Sequence, residues 1–190
     1  MLLQISKSFT NYLLKKEIIE YSKKELIIYG FQLTLSTFAS MVTILTLSYF
    51  FNILYGFIFL FFFMPIRFYA GGYHAQTYRQ CYIYTNTCFL GTLAFSNIIF
   101  KYNLLHGYIL LAMISLLFLF FATPCKNQKN PLDEKEFIKN RINTRILLLI
   151  YSFMLIVIYR NYPFIFLLGF NTLFLVSILF IIGNLENKSF

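Results

Sequence analysis

Between Glu25 and Arg67 the chain carries no charged residue. A helix over residues 26–66 would run roughly 60 Å at 1.5 Å per residue, twice the hydrocarbon core of about 30 Å. The stretch therefore predicts two membrane crossings, divided near residues 49–52. Further apolar runs cover 82–100, 104–123, 145–160 and 163–183. The spans near 26–48 and 52–66 bring the expected total to six. The run at 145–160 is short unless it borrows flanking residues, so five spans is the rival count. Composition agrees: 59% of residues are hydrophobic and 12% charged, against about 45–50% and about 25% in soluble domains. A water-soluble monomer could not hide that surface. Disorder is excluded by 25 Phe and 15 Tyr, and the apolar/polar alternation of a membrane β-barrel is absent. The expected fold is all-α: a polytopic membrane helix bundle, one integral membrane domain over 1–190. Residues 1–25 do not read as a signal peptide. Leu2, Ile5, Phe9, Tyr12 and Leu13 recur at helical spacing, predicting an amphipathic interfacial helix at the N-terminus.

The basic residues orient the bundle. With six spans, Lys7, Lys15, Lys16, Lys23, Lys24, Arg67, Arg79, Lys126, Lys129, Lys135, Lys139, Arg141, Arg145 and Lys188 share one side, and only Lys101 and Arg160 lie on the other. Because Lys and Arg accumulate in cytoplasmic loops, the chain is expected in the cell membrane with both termini and the segment from residue 74 to 81 on the cytoplasmic side. All seven acidic residues fall on the same side. The inner surface remains positive, which suits attraction to the anionic lipid bilayer. An acidic substrate segment could dock there too, with Lys126, Lys129, Lys135 and Lys139 as the candidate contacts. No nucleic-acid partner is expected.

One inner segment concentrates rare residue types: Arg67-Phe68-Tyr69-Ala70-Gly71-Gly72-Tyr73-His74-Ala75-Gln76-Thr77-Tyr78-Arg79-Gln80-Cys81. Pro65 is expected to end the second span just before it. A thiol with an imidazole is the minimum equipment for nucleophilic acyl transfer: the imidazole takes the proton and the thiolate attacks a carbonyl. On a straight helix, residues seven apart share a face but lie about 10.5 Å apart. His74 must therefore sit in a loop that folds back, a freedom that Gly71 and Gly72 would grant. A position near a helix N-terminus would favour thiolate at Cys81. Backbone N–H groups at Gly71 and Gly72 are candidate oxyanion donors, and Phe68, Tyr69, Tyr73 and Tyr78 candidate walls. His74 and Cys81 supply too few ligands for a metal, so no metal and no cofactor are expected. Cys88 reads as a packing residue, Cys125 has no His beside it, and His106 lies at the outer end of its span. A structural disulfide is not expected on the reducing side.

The pattern Arg-x-x-x-Gly-Gly-x-His-Ala-x-Thr, with Cys seven residues after the His, resembles the accessory gene regulator protein B (AgrB) family, membrane endopeptidases of quorum sensing. The basic stretch Thr123-Pro124-Cys125-Lys126-Asn127-Gln128-Lys129-Asn130-Pro131-Leu132 is similar in style, as are the size and the span pattern. Cys125 departs from the hydrophobic or polar non-thiol residue expected there. The resemblance implies a thiol protease with Cys81 as nucleophile and His74 as base, supported by Arg67 and Gly72. It implies an AgrD-like propeptide as partner, cleaved before its acidic tail through a thioester and cyclised as a thiolactone or lactone. Self-association into a homodimer is an expectation for a bundle of this size. The rival class is a small multi-span transporter or peptide exporter, against which the scarcity of charges inside the spans argues.

Overall fold

The computed structural model describes residues 2–73, 77–124 and 133–188. Among them the regular structure is helical throughout: α1 (Leu2–Lys15), α2 (Lys24–Tyr49), α3 (Ile53–Ala70), α4 (Tyr78–Lys101), α5 (Leu105–Ala122), α6 (Glu134–Tyr159) and α7 (Pro163–Lys188), with a 3-10 turn at Tyr21–Lys23. Five of these helices, α2, α3, α4, α6 and α7, contain stretches long and apolar enough to cross a membrane. α5 is shorter and carries no Asp, Glu, Lys or Arg. The chain is an all-α, multi-pass membrane protein, as the charge-free runs require. The short fifth run gains its length from the polar side: α6 begins at Glu134, and its first twelve residues carry Lys135, Lys139, Arg141 and Arg145.

Two compact units are separable, one of residues 1–44 and 75–86, the other of 45–74 and 87–190. In the first unit α1 stops at Lys15, well short of residue 25. The stop is a Schellman closure: Ile18 N–H donates to the Leu13 carbonyl and Glu17 N–H to Leu14, with Glu17 at φ 54°. Ser6 and Thr10 are buried, whereas Leu3, Ile5 and Tyr12 are exposed. Phe9 stacks on Phe31 with ring centroids 4.4 Å apart. An exposed apolar edge on a short cationic helix is the surface an interfacial anchor needs. α2 and the start of α4 are joined in this unit by hydroxyl contacts. Tyr78 donates to the Tyr29 carbonyl at 3.4 Å, Ser36 to the Tyr78 carbonyl at 3.2 Å, and Thr43 Oγ1 lies 2.9 Å from the Tyr82 hydroxyl. Such bonds join helices in lipid, where apolar association alone gives little preference.

In the second unit α7 is the hub. α3, α5 and α6 all pack against it, and Leu167, Leu168, Leu173, Val176 and Phe180 are buried. Gly169 lets α7 approach α3 and α6 closely, because a Cβ there would lie 2.9 Å from Phe62 Cε2 and from Leu155 Cδ2. Asn171 Nδ2 donates to Ser96 Oγ at 2.7 Å inside this core.

Pro65 does not end its helix. α3 continues through it to Ala70, so Arg67 to Ala70 are helical rather than loop. A proline removes the N–H that would bond four residues back, leaving the Phe61 carbonyl without its ladder donor. Tyr151 of α6 supplies the missing proton, its hydroxyl 2.7 Å from that oxygen. A neighbouring helix thus repairs the break, as spanning segments need when no water is at hand.

Candidate active site

Cys81 sits in the first turn of α4, half-buried. Thr77, the threonine of the sequence motif, fixes where that helix begins. Its Oγ1 accepts from Gln80 N–H at 3.2 Å, and Gln80 Oε1 accepts from Thr77 N–H at 3.2 Å. This reciprocal pair is a capping box, whose signal in the sequence is Thr-x-x-Gln at residues 77–80. Cys81 N–H then donates to the Thr77 carbonyl at 3.0 Å, opening the helical ladder, and Thr85 Oγ1 donates to the Cys81 carbonyl at 2.8 Å. The sulfur is therefore carried on a helix start whose register is set by side chains on both sides of the cap.

Arg67, Gly71 and Gly72 come together in the second unit. Gly71 caps α3, its N–H donating to the Arg67 carbonyl at 3.2 Å. With φ 72° and ψ −142° it occupies a region essentially closed to residues with a Cβ. Gly72 follows at φ 113°. The Arg67 guanidinium turns back over this run, Nη1 donating to the Gly71 carbonyl at 2.6 Å. On the other side Tyr73 N–H donates to the Leu179 carbonyl of α7 at 2.9 Å. The double glycine is thus a clamped ledge, not a slack hinge. The Gly71 N–H, expected as an oxyanion donor, is already used by the helix cap.

Gly183 of α7, which the sequence reading left unremarked, is the other half of this contact. It is buried, and a Cβ on it would overlap the Gly72 carbonyl carbon and the Tyr73 nitrogen. Of the expected walls, Phe68 is 77% exposed and so points away from the protein, with its ring edge against Tyr69 at 5.0 Å. Tyr69, Tyr73 and Tyr78 are half-buried, and Tyr78 leans on Tyr29 at 5.8 Å. Lys135 and Lys139 are exposed on the first turns of α6. His74, Cys125, Lys126 and Lys129 lie outside the described residues. Cys88 lies two turns along α4 from Cys81, half-buried, and both thiols are free.

Comparison with curated proteins and with solved structures returns no match. Comparison with family models returns AgrB, accessory gene regulator B, aligned over residues 6–183. That span covers α2 to α6, most of α1 and α7, and the whole Arg67-to-Cys81 segment, and the chain belongs to the accessory gene regulator B family, membrane proteins that process quorum-sensing peptides.

Proposed function

We propose that the protein is a membrane cysteine endopeptidase that cuts an AgrD-like propeptide at the cytoplasmic face, with Cys81 as nucleophile and His74 as its base. The observation that supports this reading is the family match over residues 6–183, which covers the whole Arg67-to-Cys81 segment, together with the place of Cys81 in the first turn of α4, behind the Thr77–Gln80 capping box. The positive end of α4 favours an anion on its first turn.

In the proposed reaction His74 takes the Cys81 proton, and the thiolate attacks the carbonyl preceding the propeptide tail. The tail amine leaves with the proton returned by His74, and a thioester remains on Cys81. A thiol within the propeptide then attacks that thioester, closing a thiolactone and restoring the Cys81 thiol; a hydroxyl would close a lactone. Exchange between two thiols changes no bond type, so the step calls for exclusion of water more than for driving force. Lys126, Lys129, Lys135 and Lys139 bind the acidic tail, the termini and this segment lie inside, and the bundle of six spans rests in the bilayer as a homodimer.

The deciding experiment is trapping. Purified protein incubated with propeptide should carry a hydroxylamine-sensitive adduct on Cys81, and Cys81→Ala should insert normally and cleave nothing. Cleavage that survives in Cys81→Ala, or an adduct on Cys88 or Cys125, overturns the reading.

A further inference from the structure

Tyr29, Ser36 and Thr43 stand seven residues apart on α2, so they share one face of that helix. The face meets the start of α4 within one compact unit. Tyr78 is held there at both ends. Its carbonyl accepts from Ser36 Oγ at 3.2 Å, and its own hydroxyl reaches back to the Tyr29 carbonyl at 3.4 Å, with the two rings 5.8 Å apart. One turn further on, Thr43 gives its proton to the Ala39 carbonyl at 2.9 Å, which leaves the Tyr82 hydroxyl to donate to Thr43 Oγ1, also at 2.9 Å.

Ser36 differs from its neighbours in where its proton goes. Thr34, Ser40 and Ser48 donate to carbonyls of α2 itself, the ordinary habit of a hydroxyl inside a helix. Ser36 is 2% exposed and donates to another helix. Cys81 lies three residues beyond the Tyr78 that receives this bond, in the same first turn of α4. The capping box of Thr77 and Gln80 fixes where α4 begins along the chain. Ser36 and Tyr29 fix how that beginning is turned toward α2.

We infer that Ser36 is a positioning residue for Cys81. Through the Tyr78 carbonyl it sets the rotation of the first turn of α4 against α2, and with it the direction of the sulfur. The inference rests on the reading of Cys81 as nucleophile. A sulfur turned away from its line of attack loses rate, because positioning of the reacting atoms lowers the barrier, while propeptide contacts made elsewhere are kept.

The test uses the full chain in lipid vesicles with an AgrD-like propeptide. Ser36→Ala should lower kcat about fivefold, about 1 kcal/mol of activation free energy, with KM held within about twofold. Ser36→Thr keeps the hydroxyl and should restore kcat. Ser40→Ala is the control. It deletes another buried hydroxyl, one turn away, whose bond stays within α2, and it should leave kcat within about twofold. An unchanged kcat in Ser36→Ala, or the same fall in Ser40→Ala, overturns the role of Ser36. Should Ser36→Ala yield no folded protein, Tyr78→Phe serves instead. It deletes the bond to Tyr29 and keeps the ring, and it should lower kcat about threefold; an unchanged kcat there overturns the inference as well. Cleavage that persists in Cys81→Ala overturns the nucleophile itself. Cleavage lost in Cys81→Ala, with kcat unchanged in Ser36→Ala, overturns the positioning alone.

Discussion

Arg67 gives an Nη1 hydrogen bond to the carbonyl of Gly71, 2.6 Å away and four residues further along its own chain. A guanidinium near the end of a helix satisfies a carbonyl that the ladder has abandoned. Here that carbonyl belongs to Gly71, in the glycine run at the end of α3, and under the proposed function the arginine would act through position.

Arg67→Lys should therefore lose at least tenfold in processing rate, about 1.4 kcal/mol of activation free energy. An ammonium keeps the charge but lacks the planar fork with several fixed donors. Rates of propeptide cleavage in membranes, normalised to inserted protein, measure it. Full activity in Arg67→Lys would reduce the residue to a cation snorkelling toward lipid phosphate.

The thiols should divide sharply. Cys81→Ser should be nearly as inactive as Cys81→Ala, because a hydroxyl without a strong base is a poor nucleophile. Cys88→Ala and Cys125→Ser should process normally or with modest loss. His74→Ala should lose nearly all cleavage and slow the alkylation of Cys81 near neutral pH, since the thiolate fraction falls. Mass spectrometry of the alkylated protein separates the three sites.

The cap on α4 offers an independent handle. Thr77→Ala removes the acceptor for Gln80 N–H, which should cost about 1 kcal/mol of local helix stability. Hydrogen exchange of the first-turn amides of α4 should rise, and cleavage should fall with it. Thr77→Ser, which keeps the oxygen, should restore both.

Replacing Lys126, Lys129, Lys135 and Lys139 together by Gln should raise the propeptide concentration needed for half-maximal cleavage. Each exposed contact is worth less than about 1 kcal/mol, so the rise is severalfold per pair of lysines, and it should shrink as salt is added. An unchanged concentration dependence would leave these lysines as topology signals alone.

Topology is checked with engineered thiols in a background without native cysteines. A cysteine at Ser189 should resist an impermeant reagent applied to intact cells and react once the membrane is opened. External labelling would contradict the six-span arrangement derived from the distribution of Lys and Arg.

The helices were legible because a charge-free run of sufficient length has few other fates in lipid, and residues 26–66 show this most plainly. Their ends were less legible. Pro65 was expected to stop α3, and the residue that lets the helix continue is Tyr151, remote in sequence and announced by no local pattern. The short reach of α1 depends on Glu17 taking a positive φ, which its side chain does not advertise. Within the candidate site, the presence of Arg67, Gly71 and Gly72 in one short segment was plain in the sequence. Their arrangement was not, because Gly183 and Leu179 come from the last helix. The capping box was fully present in the sequence as Thr77 and Gln80.

The repair of α3 has a mechanical corollary. A helix missing one rung is a joint, and a joint braced by a neighbour follows that neighbour. The brace on Phe61 belongs to α6, whose charged head carries Lys135 and Lys139. The short stub of α3 beyond Pro65 carries Arg67 and ends at the glycine ledge. The stub that bears the arginine is thus tied to α6 by a hydrogen bond as well as by the Phe61 and Phe62 rings packed on Tyr151, so a shift of α6 is expected to carry the stub with it.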